Sequence, residues 1–236
     1  MKKIIAVLLI LVMALSFAAC GKSQAVKDAE AAISNIGEVS LDSGRAIANA
    51  EKLYSGLSEK DAKSVENYSV LTEAREKYNS LVYDAAIDNM GSYDYQKAIS
   101  LLESIPSYKD AKDKLAEAED GVFQSKCASY VFDFVKDSGF YNPSAVRVLD
   151  ASYADENDAY SILLGVDGIL YLRIQGTNKL GGTLTKEYAI LIGGKEDGNA
   201  YSNEDSGQNY KDTDKVIDVP TINKMLQKYW IDYGLG

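Results

Sequence analysis

Residues 159–192 read AYSILLGVDGILYLRIQGTNKLGGTLTKEYAILI, and the fold turns on how this stretch is divided. It is rich in Ile, Leu, Val and Tyr and is punctuated at Asp167-Gly168 and Gly181-Gly182. Asp-Gly is favoured in two-residue hairpin turns, so the spacing predicts two strands that meet at Asp167-Gly168. After Gly181-Gly182, the residues Leu184, Lys186, Tyr188, Ile190 and Ile192 alternate onto one face of a further strand. Strands this close in sequence can pair only as antiparallel neighbours, because a parallel pair needs a crossover of a dozen or more residues.

Working outward, Pro143 precedes a β-branched run in NPSAVRV, residues 142–148, which predicts an earlier strand. Residues 122–138, VFQSKCASYVFDFVKDS, have the spacing of a helix that packs on the sheet. Beyond a polar stretch at 195–215, Pro220 suits the first turn of a last helix. Its stripe is Ile222, Met225, Leu226, Tyr229 and Tyr233.

Residues 25–83 carry a different period. Val26, Ala29, Ile33 and Ile36 recur at helical spacing, and Gly37 stands where a left-handed residue would close the turn. A second helix is expected over Ile47, Ala50, Leu53, Tyr54 and Leu57, with Asp42 or Ser43 as its N-cap. Ser58 can cap the next segment, whose stripe runs through Val65, Tyr68, Leu71, Ala74, Tyr78, Leu81 and Val82 with a break near Asn67. Short amphipathic helices cannot bury their faces separately, so a bundle is expected. The fold class is therefore α+β: an N-terminal helical bundle with hairpins, then a small antiparallel sheet with flanking helices. Residues 25–121 are assigned to the bundle and 122–236 to the α+β part.

At the amino end, Lys2 and Lys3 precede an apolar run, Ile4 to Leu15, and then small residues and Cys20. That is the export-signal pattern. The run is about 12 residues, short of the ~20 that a bilayer span needs. Residues 1–19 are read as a signal peptide and 20–24 as a tether. Phe17-Ala18-Ala19-Cys20 resembles the lipobox of bacterial lipoproteins, with Phe17 where that family usually has Leu. The resemblance implies that Cys20 is acylated and anchors the protein to the outer face of the cell membrane, where several acyl chains hold it stably.

Three further resemblances follow. AISNIGEVSLDSGRAIANAEKLYSGLSEKDAKSVENYSVLTEAREKY, from Ala32 to Tyr78, is similar to the FIVAR-like helical modules of Gram-positive surface proteins. NMGSYDYQKAISLLESIPSYKDAKDKLAEAE, from Asn89 to Glu119, resembles a tetratricopeptide-type hairpin, with its turn in SYKDAKDKL and a following helix expected to run through Val135. The stretch from NPSAVRV to TKEYAIL is also similar to a small carboxy-terminal domain of Firmicute lipoproteins. These resemblances imply spacer or binding modules and no particular activity.

Composition narrows the function. The chain has 25 basic and 35 acidic residues, a net charge of −10, and loss of Lys2 and Lys3 with the signal takes it to −12. That balance argues against nucleic acid and against adsorption to anionic lipid, both of which need clustered Lys and Arg. Removal of the 19 residues before Cys20 from the 236 leaves 217, enough for one or two small domains. Histidine is absent, which removes Ser-His-Asp and Cys-His catalysis and most zinc chemistry. Once Cys20 is acylated, Cys127 has no disulfide partner, and its apolar setting reads as a small buried hydrophobe. LIGGKED lacks the first glycine and the hydroxyl of a phosphate loop, since Ala189 and Glu196 hold those places. A calcium loop begun at Asp197 puts Ser202 at the glycine and Gln208 at the final glutamate. Residues 195–215 therefore read as a solvated acidic loop. Of the 17 tyrosines, Tyr201 and Tyr210 lie in that loop with no core period to explain them, and they are the candidate partner-binding residues.

The expectation is a non-enzymatic, lipid-anchored interaction or scaffold module that needs no cofactor and binds a protein or cell-wall partner. The alternatives are a solute-binding lipoprotein of a transporter and a carboxylate-based envelope hydrolase. The chain lacks the repeated β-α-β units of the first, and no pair of carboxylates stands out for the second.

Overall fold

The computed structural model describes residues 22–138, 140–202 and 215–234. Cys20, Tyr210 and residues 1–19, read above as a signal peptide, lie outside them. The fold is α+β, with eight α-helices and one four-stranded antiparallel sheet among the described residues. No helix there is long and apolar enough to cross a membrane. The chain forms two compact units, one running to Asp88 and including Leu101–Ala111, the other formed by Asn89–Ser100 and Lys112 onward.

In the first unit, α1 (Gln24–Ser34) begins where the Ser23 hydroxyl accepts the Val26 N–H. Lys22, just before the helix, is ion-paired with Glu30 at 2.5 Å and Glu66 at 2.8 Å. Gly37 takes the expected left-handed backbone, φ +65°. The chain then makes a single 3₁₀ turn, Leu41–Ser43, in which the Ser43 hydroxyl accepts the Ser40 N–H. Helix α2 (Gly44–Ser55) follows without a side-chain cap from Ser43. Ser58 caps the one-turn α3 (Glu59–Ala62) through the Asp61 N–H, as its position suggested. The break near Asn67 is also present: α4 (Tyr68–Gly91) starts afresh, and the Asn67 amide donates to the Glu30 carbonyl at 2.9 Å. Val26, Ile33, Ile36, Ile47, Ala50, Val65, Leu71 and Ala74 form the core. Each buried Ile or Val there contributes roughly 1.5–3 kcal/mol relative to exposure. Leu53 lies outside it at the surface, and Tyr68 stacks on Tyr54 with ring centroids 4.1 Å apart.

Helix α5 (Tyr95–Glu103) and α6 (Ala111–Asp137) make the hairpin, and α6 does run on past Val135. At the turn between them Lys109 adopts φ +45°, with its ammonium 4.7 Å from the Tyr83 ring centroid and 5.0 Å from that of Tyr108. Such cation–π contacts contribute about 0.5–1 kcal/mol at an exposed site.

In the second unit, β1 (Arg147–Asp155), β2 (Gly168–Thr177), β3 (Thr183–Ile192) and β4 (Ala200–Ser202) are ordered β1-β2-β3-β4. Cys127, Val131 and Val135 from α6, and Ile222, Met225 and Trp230 from the last helix, α8 (Val219–Asp232), share a core with Leu170, Leu172, Ile174, Ile190 and Ile192. The predicted inward face of β3 is therefore correct for its isoleucines. Sequence reasoning assigned Tyr233 to the α8 stripe and omitted Trp230, but Tyr233 is exposed and Trp230 is buried.

The dipeptide Asp167-Gly168 is not a hairpin turn. The run before it is a six-residue helix, α7 (Ala159–Leu164), capped by Asp158 and stopped by Gly165 in the left-handed region. Gly168 instead opens β2, where a Cβ would lie 2.2 Å from the Tyr153 hydroxyl oxygen. The hairpin falls at 178–182 between β2 and β3, where the Asn178 side-chain oxygen accepts the Leu180 and Gly182 amides, each at 2.9 Å. The apolar run 160–164 suits a strand in composition but lacks alternation, and its two end signals decide for the helix.

The Ser161 hydroxyl of α7 is fully buried and has no hydrogen-bond partner among the described residues. An orphaned buried hydroxyl costs about 1–3 kcal/mol. Ser161→Ala is therefore expected to raise stability by about 1 kcal/mol, read as a higher urea midpoint. A fall in midpoint would show that the hydroxyl is satisfied in solution.

Candidate interaction surface

Both faces of the sheet carry buried side chains. Helices α6 and α8 pack on the face that carries Leu170, Leu172 and Ile190. The opposite face holds a smaller cluster of Ala154, Val166, Ile169, Tyr171 and Leu191, with Ala189 beside it. Cross-strand register places Tyr201, Ala189, Tyr171 and Ser152 in one row on that face. The row of Glu187, Arg173 and Asp150 follows it toward the hairpin end.

Of the two candidate tyrosines, Tyr201 stands on β4, an edge strand of the described sheet, and is 50% exposed. Its hydroxyl donates to Glu196 Oε2 at 2.7 Å, which pushes the phenol up from its ordinary range. The ring is thus presented on a strand with one end fixed, where an ordering cost has already been met. Glu196 belongs to the β3–β4 loop, which is built on Gly193, Gly194 and Gly198, all with positive φ. Asp197 secures that loop by accepting the Gly193 N–H and the Tyr130 hydroxyl, and these bonds hold its carboxyl below the usual range. Sequence reasoning missed Tyr130, because its helical spacing in α6 looks like that of a core residue.

Gln124 was missed for the same reason. It is buried in α6, donates to the Val216 carbonyl at 2.8 Å and accepts the Asp218 N–H at 3.0 Å. One neutral side chain thereby fixes the entry to α8, whose N-cap Asp218 bonds the Thr221 N–H. Asn223 of α8 does a similar service for the free edge of the sheet. Its amide accepts the Val148 N–H at 2.9 Å and donates to the Val148 carbonyl at 2.8 Å, beside the bulge at Leu149. This side chain occupies a backbone position that a further strand would otherwise use.

Cys127 is fully buried, and desolvation pushes its thiol from 9.0 up to about 12. Burial likewise drives the Tyr130 and Tyr153 phenols from 10.0 to about 12, with the Asp197 bond adding to the effect at Tyr130. A raised value in the folded state means that the fold favours the protonated group. That contribution is complete below the unfolded values of 9.0 and 10.0 and is lost as pH rises through about 12. The urea midpoint is therefore expected to stay level from about pH 6 to 8 and to fall steadily above about pH 9. Cys127 is expected to resist maleimide until the second unit unfolds. Rapid labelling of the native protein would contradict its burial.

Among the described residues, no group of three or more Cys, Asp or Glu side chains is placed to hold a metal ion. No protein family, curated protein or solved structure matches this chain.

Proposed function

We propose that the chain is a lipid-anchored extracytoplasmic module that binds a protein or cell-wall partner and catalyses no reaction. The observation that carries the binding role is Tyr201, half exposed on an outer strand with its hydroxyl fixed by Glu196. Tyrosine supplies large contact area with few torsions to freeze, so one held in this way favours recognition over mere solvation. The address comes from Phe17-Ala18-Ala19-Cys20, and the FIVAR-like and tetratricopeptide-like stretches fit a spacer role for the helices. The lack of histidine supports a non-catalytic reading by removing the commonest general base.

The test has two parts. Cys20→Ala is expected to move the protein from the membrane fraction to the soluble extracytoplasmic fraction and to abolish labelling by a fatty-acid probe. Persistence of both would refute the anchor. A photoreactive residue at position 201 is expected to crosslink one partner repeatedly in intact cells. If position 201 gives no adduct while a solute binds saturably near Trp230, the transporter reading replaces this one.

A further inference from the structure

At the end of the sheet that carries the β1–β2 and β3–β4 connections, α7 leaves its apolar side chains in solvent. Leu163 is 77% exposed and Ile162 67%, with Leu164 and Tyr160 about half exposed. Four such residues within five positions form a contiguous patch, unlike the scattered exposed apolars normal on a surface. Exposure does not reflect looseness here. Asp158 Oδ1 accepts the Tyr160 N–H at 2.8 Å, the Val166 N–H bonds the Ser161 carbonyl, and Val166 is buried in the smaller sheet cluster with Ile169 and Leu191.

The segments around this patch are acidic. Asp155, Glu156 and Asp158 precede it, Asp167 follows it, and Glu196 and Asp197 lie on the neighbouring loop, six carboxylates against Lys195 of those segments and Lys126 of α6, which acts on Asp197. The two connections pack together: a Cβ on Gly194 would lie 2.3 Å from the Gly165 carbonyl oxygen. Apolar surface and negative rim thus belong to one rigid corner of the second unit.

We infer that α7 docks a protein segment with an apolar stripe bordered by Lys and Arg. The rim selects this occupant over the others that an apolar patch could take. A second copy of the chain would set acidic rim against acidic rim. An anionic lipid surface would repel the rim, just as it attracts basic segments by about 1 kcal/mol per charge. A basic amphipathic segment satisfies both features, with steering from the charges and affinity from the leucines. The inference rests on the binding role proposed above and adds the chemistry of the partner.

The experiment uses the whole protein in zwitterionic nanodiscs, with empty discs as the blank. The probe is a labelled amphipathic peptide of leucine and lysine, about 18 residues long. Saturable binding is expected, weakened about tenfold by Leu163→Ser, since burying a leucine is worth 1.5–3 kcal/mol. Glu156→Gln is expected to weaken it about twofold, and salt near 1 M to weaken it further. Leu180→Ser, on the hairpin at the other end of the sheet, is expected to leave it unchanged. All three side chains are exposed, so circular dichroism should be the same for each variant. Binding indifferent to Leu163→Ser, or equal binding of a leucine–glutamate peptide, would overturn the inference. So would a concentration-dependent dimer, or attachment to anionic vesicles, that Leu163→Ser abolishes. If the peptide result fails while position 201 still crosslinks a partner, the binding role stands and the site alone is wrong.

Discussion

Trp230→Ala is expected to destabilise the second unit by about 3–5 kcal/mol, as other large-to-small core replacements do. The indole is 4% exposed on α8, and its ring centroid lies 4.6 Å from that of Phe132 on α6. Phe132 also meets Tyr229 at 5.6 Å and Tyr233 at 5.2 Å, so an aromatic cluster joins the two helices that cover the sheet. Truncation removes transfer free energy and leaves a cavity that cannot collapse, because α8 is fixed at its start by Gln124 and at Val148 by Asn223. The loss is a large share of the 5–15 kcal/mol that a domain usually has. Since Trp230 is the only tryptophan, its own fluorescence disappears, and urea unfolding must be followed by circular dichroism. Trp230→Phe fills most of the volume and should cost markedly less. A cost for Trp230→Ala below about 1 kcal/mol would mean that α8 does not seal this core.

Where the sequence was legible, a simple period met a simple environment. Val26, Ala29 and Ile33 share one helix face and are all buried, and Ser58 caps at the position its neighbours require. Strand β3 alternates and is half covered, so its period of two is visible. Strand β2 is not, because Ile169 to Leu172 are buried on both faces and the alternation disappears into a continuous apolar run. That run joined visually with Tyr160–Leu164, and the pair looked like two strands about an Asp-Gly turn. The discriminating signals were Asp158 and Gly165, an N-cap and a left-handed stop seven residues apart. They are weak in isolation, and the exposed leucines between them run against the usual rule that leucine is inside. The candidate surface was legible only at Tyr201, where an aromatic stands in a polar loop. Its supports, Glu196 for Tyr201 and Asp197 for the loop, depend on how the β3–β4 turn closes, and no local pattern encodes that closure.

The closure itself gives the second large effect. Gly194→Val is expected to cost about 2–5 kcal/mol, from two sources that add. Its φ of +72° is a conformation that costs an L-residue roughly 1–2 kcal/mol. A Cβ would also lie 2.3 Å from the carbonyl oxygen of Gly165, a backbone atom that cannot swing aside as a side chain would. Relief requires the β3–β4 loop or the end of α7 to move, at the roughly 1–3 kcal/mol typical of overpacking. Gly165→Ala separates the sources. Gly165 has φ +65° but open space around its Cβ position, so it should cost only the backbone part, about 1–2 kcal/mol. Gly194→Val should in addition speed hydrogen exchange at Gly165 and Val166, whose amides bond Ile162 and Ser161 within the α7 turn. Loosening that turn should weaken any ligand held by Leu163 without touching Leu163 itself. Equal costs for the two glycine variants would mean that the loop and α7 do not bear on each other, and the corner would no longer be a single rigid surface.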